Sequence, residues 1–380
     1  MSWIGRRLAA LILTCVLLLA ACGGEKHANP VAPPSTPAAS SAAPTTAPVS
    51  ADPAVAVYRA RTELGLVTAD RVIAHVDGQF SDDGFARDES LIYAIDETGD
   101  LEAIDPHSGD LLPEYIGCHC GQAFPTTATT VIWWNETDKS LYEADLHHLR
   151  AATKTPMTLP DPRDPPGAGN RLSDPTLVAA DAHHLIMTRQ ETGGGYWSYN
   201  HLYVVDRDTG AIHQLGRYEH LNEPFNRGVI TPDGRSAVLA GEAHVSNGCS
   251  HLELIRFTLD ADHPTPLAFP ITSECLTLDT IHLTDCELTI SVTDRKWEQQ
   301  PRESTHSLWQ FDSRQWQQNP DPDLLAHATL SPTTTFEIRT GPPSPKDTSA
   351  QLTVVTATKT TVLATHAYDI QTAHEPTCAQ

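Results

Sequence analysis

Asp100-Leu101-Glu102-Ala103-Ile104-Asp105-Pro106-His107-Ser108-Gly109 and His201-Leu202-Tyr203-Val204-Val205-Asp206-Arg207-Asp208-Thr209-Gly210 are the same sentence written twice. Each is a short apolar strand closed by an Asp-x-x-(Ser/Thr)-Gly turn. The frame recurs more loosely from Ser140, His251, Ser307 and Gln351. Leucine stands second in every copy, as Leu101, Leu141, Leu202, Leu252, Leu308 and Leu352. Three residues on, the position is apolar in all six, as Ile104, Ala144, Val205, Ile255, Phe311 and Val355. Strand side chains alternate, so an offset of three puts these residues on opposite faces. A strand apolar on both faces needs cover on both sides, which blades packed around a ring supply.

Working outward, an apolar run precedes each copy, at 91–95, 131–134, 185–187, 237–239, 288–290 and 335–338. A shorter segment lies ahead of each run, as in Val229-Ile230-Thr231 before the turn Pro232-Asp233-Gly234, and a fourth run follows the copy. Four runs per unit at a spacing of 40 to 61 residues predict propeller blades at 83–116, 123–162, 174–219, 227–273, 279–320 and 326–367. Residues 56–82 are left over, with 71–76 strand-like. They either join the last blade or make a split seventh blade with the C-terminal tail. The expected fold is therefore an all-β propeller of six or seven four-stranded antiparallel blades over residues 56–380, and regular strand spacing leaves a β-sandwich as the alternative.

The N-terminus is built differently. Arg6 and Arg7 precede an apolar run over 8–20, too short for a membrane span, and Leu19-Ala20-Ala21-Cys22 follows. That tetrapeptide resembles the lipobox of bacterial lipoproteins. The resemblance implies cleavage before Cys22, lipid on its thiol and anchoring to a bacterial membrane, the cell membrane first, with the chain outside the cytoplasm. Residues 22–55, rich in Pro, Ala, Ser and Thr, read as a disordered tether. The Asp-x-x-(Ser/Thr)-Gly turns in turn resemble the repeats of quinoprotein-like and YVTN-type propellers, and of the outer-membrane assembly lipoprotein with that fold. Those families place a tryptophan beyond the glycine, where this chain has Leu111-Leu112 and Ile212-His213. The resemblance thus speaks for the fold rather than for quinone chemistry.

Arg6 and Arg7 leave with residues 1–21 and no acid does, so the formal charge of −23 becomes −25 on maturation. Such a chain is no partner for nucleic acid. Six cysteines remain after Cys15 and Cys22, and an exported chain favours disulfides over reactive thiols. The topology puts Cys249 and Cys275 on one face, Cys118 and Cys120 are near enough for a local bridge, and Cys286 and Cys378 pair by elimination. Cys118-His119-Cys120 and the pairs His147-His148 and His183-His184 invite a metal reading, but no zinc-ligand spacing occurs, so neither metal nor cofactor is expected. No nucleophile elbow or phosphate loop is present.

The connections between second and third strands are short in the first two units and long at 190–200, 241–250, 293–306 and 341–350. They carry Tyr196, Trp197, Tyr199, His244, Arg295 and Trp297, residue types that anchor binding surfaces. The expectation is a monomeric binding or scaffolding propeller for a protein or carbohydrate partner. A propeller hydrolase or lyase acting on carbohydrate is the alternative.

Overall fold

The ring is closed by a strand from the far end of the chain. Ala367–Thr372 pairs with Ala56–Ala60, which pairs in turn with Glu63–Val67 and Val72–Asp77, making a split blade A. The computed structural model describes residues 53–373, apart from 194–197, 247–248, 272, 274, 284–286, 297–302, 313 and 342–349. Six further sheets follow in chain order, so the fold is a seven-bladed propeller of antiparallel sheets. Blade B comprises Phe80–Phe85, Ile92–Asp96, Asp100–Ile104 and Leu111–Gly117. Blade C comprises Ala123–Thr127, Thr130–Asn135, Ser140–Asp145 and Thr153–Pro156. Blade D has Thr176–Ala180, His184–Thr192, Ser198–Asp206 and Ile212–Tyr218, with Arg171–Leu172 added beside His184–Thr192. Blade E has Arg227–Ile230, Ser236–Ser246, Cys249–Thr258 and Thr265–Pro266. Blade F has Leu276–Leu283, Leu288–Lys296, Glu303–Phe311 and Trp316–Gln318, and blade G has Leu324–Ser331, Thr334–Thr340, Ala350–Thr356 and Thr360–Thr365.

All six repeat leucines fall on third strands and are buried, and of their apolar partners only Val355 is half-buried. Blade A carries a seventh copy that the turn pattern hides: Glu63-Leu64-Gly65-Leu66-Val67, with Leu64 and Val67 both fully buried. The two turns that reveal the repeat work locally. The Asp105 carboxylate accepts from His107 N–H, its carbonyl accepts from Gly109 N–H, and Gly109 has φ 76°. At Asp206 the carboxylate accepts from Thr209 N–H, and Gly210 has φ 71°. Glycine takes that left-handed conformation at little cost, which explains its fixed place in the turn.

Six apolar clusters fill the seams A–B, B–C, C–D, D–E, E–F and G–A. The F–G seam is different. Leu288, Ile290 and Val292 face blade E, so alternation turns the buried Thr289, Ser291 and Thr293 toward blade G. Thr353 meets them from the other side, since Leu352 and Val354 face blade A. Among the described residues this seam has no apolar cluster of its own, and these hydroxyls surround the buried Leu308. No helix among the described residues is long and apolar enough to cross a membrane.

Candidate functional site

Two places on the ring depart from what folding alone requires: the top of blades D to F, and the central channel. The connections expected there as long loops are mostly continued strand. Measured from the rung of the repeat leucine, the second–third ladder runs on to Thr192–Ser198 in blade D, Ser246–Cys249 in blade E and Lys296–Glu303 in blade F. In blades A, B and C it stops within one rung. Three to five extra rungs at about 3.3 Å each raise these hairpins roughly 10–17 Å above the ring. Their residues are mostly polar, which in the sequence resembles a loop. Backbone pairing carries them instead.

Each tall hairpin is braced. The Cys249–Cys275 disulfide ties blade E to the start of blade F. In blade D, the fully buried Glu191 accepts from Gly167 N–H at 2.8 Å and Asn170 Nδ2 at 2.6 Å, and its other oxygen meets His201 Nε2 at 2.9 Å. Burial pushes this carboxyl upward, but those bonds more than reverse it and hold Glu191 below the ordinary range. Asn200 donates to the carbonyls of Leu221 and Glu223, pinning the connection to blade E. In blade F, the Asp279 carboxylate accepts from Thr293 Oγ1 at 2.7 Å, and His306 Nδ1 lies 2.8 Å from that hydroxyl.

The residues expected to form a recognition patch divide as follows. Tyr199 lies under the Arg217 guanidinium, 4.6 Å from its ring centre, on the side of blade D that faces blade C. Arg295 is exposed on the opposite side of blade F, toward blade G, so strand alternation does not bring these two together. His244 is paired through its backbone with Ser250. Tyr196, Trp197 and Trp297 lie outside the described residues, as do Cys22, Cys286 and Cys378. Cys118 and Cys120 are bonded to each other across His119, whose φ is 46°, which removes the metal reading of that triplet. His183 pairs with Asp208 and His184 with Asp181. Among the described residues no group of three or more His, Cys, Asp or Glu could hold a metal.

The channel was not anticipated. It is lined by the first strands of the blades and by the closing strand Ala367–Thr372. Those inner strands carry an extra, bulged residue in six of the seven blades: Tyr368, Ser81, Thr126, Val178, Asp279 and Leu325. A bulge leaves its extra residue out of the ladder and bends the strand. Two of the freed carbonyls are taken by arginines. Arg59 Nη1 donates to Ser81 O, and Arg227 Nη1 donates to Asp279 O at 2.8 Å.

Arg59 also pairs with Asp83, 2.9 Å from its Nε, and with Asp369. Its side chain is 13% exposed and that of Asp83 2%. The adjacent Asp82 accepts from Ala123 N–H at 2.9 Å. Burial pushes Asp82 up to about 6. It pushes Asp83 up as well, because the charges of Asp369 and Asp82 add to burial and together outweigh Arg59. Three acids around one guanidinium therefore keep a proton near neutral pH. Tyr93 lies across Gly84, where a Cβ would come within 2.8 Å of its hydroxyl oxygen, and reaches blade C by donating to Ala123 O at 3.0 Å.

Two cavities meet in this channel, of about 540 Å³ toward the tall-hairpin face and about 300 Å³ beyond it. Arg59, Asp82, Gln122, Phe124 and Arg227 line both and form the neck between them. The aromatic residues Trp134 and Phe225 border the outer cavity, yet both are nearly fully buried.

No protein-family model and no curated protein matches the chain. Among solved structures it is similar to the tricorn protease, at 9% identity and a TM-score of 0.47 over 83% of this chain, and spans about a third (34%) of that protein's length. It is similar to an oligogalacturonate lyase in complex with manganese, at 14% identity and a TM-score of 0.48, covering 79% of this chain and 81% of that one. BamB from Moraxella catarrhalis gives 11% identity and a TM-score of 0.38, with 81% of each chain covered.

Proposed function

We propose that this propeller is a lipid-anchored, non-enzymatic binding module of a bacterial membrane, which docks a protein or carbohydrate partner on the face bearing the tall hairpins of blades D, E and F. The observation that carries the reading is the braced extension of those hairpins. Their upper rungs on blade F, around Arg295 and 304–306, are exposed and contribute nothing to the seams, yet bonds below hold them in place. Preorganised projecting surface of this kind lowers the ordering cost of association.

Catalysis is the weaker reading. Glycosidase chemistry needs two working carboxyl groups at the reacting bond. In the channel Asp83 and Asp369 are tied to Arg59, Asp82 accepts from Ala123 N–H, and Glu136 lines the outer cavity as an exposed residue. The anchor rests on Cys22 at the end of its Leu19-Ala20-Ala21-Cys22 motif.

Affinity capture of the tagged full-length protein from intact membranes tests both parts. The wild type is expected to fractionate with membranes and to retain a specific partner. Cys22→Ser is expected to leave the membrane fraction, and replacing 296–303 by an Asn-Gly turn to lose the partner. Membrane retention of Cys22→Ser would refute the anchor, and an unchanged capture by the shortened hairpin would refute the docking face.

A further inference from the structure

The neck of the channel carries more unspent hydrogen-bonding capacity than a structural plug requires. Arg59 is engaged by Ser81 O and Asp369 and lies 2.9 Å from Asp83 through its Nε. Arg227 lines both cavities, makes one bond to Asp279 O, and has no ion-pair partner among the described residues. Around it, Thr280 Oγ1 and His282 Nε2 are buried, line the inner cavity and have no hydrogen-bond partner, and Thr280 is only 5% exposed. The side chains of Gln122 and Gln371 line the same space and have no hydrogen-bond partner among the described residues. Burial lowers His282, so its ring is neutral and offers one donor and one acceptor. These groups come from blades A, E and F and from the segment ahead of blade C, and converge on one cavity. A buried polar atom left unpaired costs on the order of a lost hydrogen bond, so several at one place ask for an occupant.

We propose that this neck is a binding site for a small hydroxylated carboxylate, of the sugar-acid class. The carboxylate faces Arg227, which lines both cavities and keeps donors beyond its bond to Asp279 O, whereas Arg87 lines the inner cavity alone. At the neck itself Arg59 is already paired with Asp83 and Asp369, so Arg227 beside Asp82 suits a monoanion better than a phosphate dianion. The hydroxyls meet Thr280, His282, Gln122 and Gln371. A hydroxyl both donates and accepts, so it satisfies either tautomer of a neutral imidazole and either end of an amide. The inner cavity, at about 300 Å³, lies at the lower bound of small-molecule sites and fits one sugar-sized ligand. Phe124 at the neck supplies the apolar contact for a ring face. This site is distinct from the docking face, and its loss would leave that reading standing.

Isothermal titration calorimetry on the full-length protein in detergent tests the proposal, with D-glucuronate, D-galacturonate, D-gluconate, D-glucose, acetate and inorganic phosphate as probes. At least one of the three hydroxy acids should bind saturably, and at least tenfold more tightly than glucose or acetate. Arg227→Gln should weaken the acid at least tenfold and bring it level with glucose, whereas Arg227→Lys should retain part of the preference. Thr280→Val should weaken acid and glucose by a similar factor, roughly fivefold. The proposal is overturned if none of the three acids binds, if glucose or phosphate binds as tightly as the best acid, or if folded Arg227→Gln leaves its affinity unchanged. The probe series on the wild type decides the matter even where a variant fails to fold.

Discussion

Blades A, B and C stop their central hairpins at the height of the ring, while blades D, E and F carry theirs three to five rungs beyond it. The two halves are stabilised by different means. In the low half, apolar seams run to the top of the strands and the inner corner of A and B is closed by buried charge, with Arg59 among Asp82, Asp83 and Asp369. In the tall half the seams reach only the lower added rungs, through Tyr218, Ala243 and Leu276, and the hairpins rely further on Glu191 with its three donors, on a disulfide, and on the Asp279–Thr293–His306 set. The comparison teaches that a repeated blade can be lengthened without changing its core, provided something other than the core holds the extension.

The low half should break first and hardest. Arg59→Leu leaves Asp83 and Asp369 buried without a cation, and removing one partner of a buried ion pair costs roughly 3–5 kcal/mol. Urea denaturation should show a loss of that size, and a loss below about 1 kcal/mol would mean that the charges at this corner are solvated after all.

The same corner sets a pH dependence. Asp82 is raised to about 6 from its ordinary 3.8, so the folded protein prefers the protonated group. Its contribution is fully present below about pH 4 and is lost as pH rises through 6. Asp82→Asn escapes that loss. The two proteins should be equally stable near pH 4, and the variant should lead by on the order of 2 kcal/mol at pH 7.5. A gap that narrows as pH rises would reverse the sign assigned here.

The tall half should tolerate most. Replacing 296–303 of blade F by Asn-Gly removes the last backbone pair, Lys296–Glu303, and spares the Asp279–Thr293–His306 set, so it should cost less than ~1 kcal/mol. A larger loss would make that hairpin part of the folding unit.

How much of this was legible in the sequence follows from where each signal resides. The repeat was readable because its frame is local: a leucine, an apolar residue three later, a turn with a fixed glycine. Six copies stood out on that basis. The seventh, around Leu64 and Val67, has no such turn, and its blade is completed by a strand more than 300 residues away, so no local spacing announces it. The pairing of Cys249 with Cys275 followed from the topology. The channel did not. Arg59, Asp83 and Asp369 come from three strands of two blades, and Asp82-Asp83 is one acid pair among 48 acids. The bulges that aim the inner strands leave no mark in a hydrophobic pattern, and the tall hairpins are mostly polar, which reads as loop.

The account stands most directly on which surface meets a partner. A photo-crosslinking amino acid can be placed at Tyr199 and at Arg295 on the tall hairpins, and at Tyr115 and Val362, exposed residues on the outer strands of blades B and G. With the lipid-bearing protein in living cells, adducts of one defined mass are expected from the tall-hairpin positions and none from the outer strands. Adducts from Tyr115 or Val362, with Tyr199 and Arg295 silent, would contradict it.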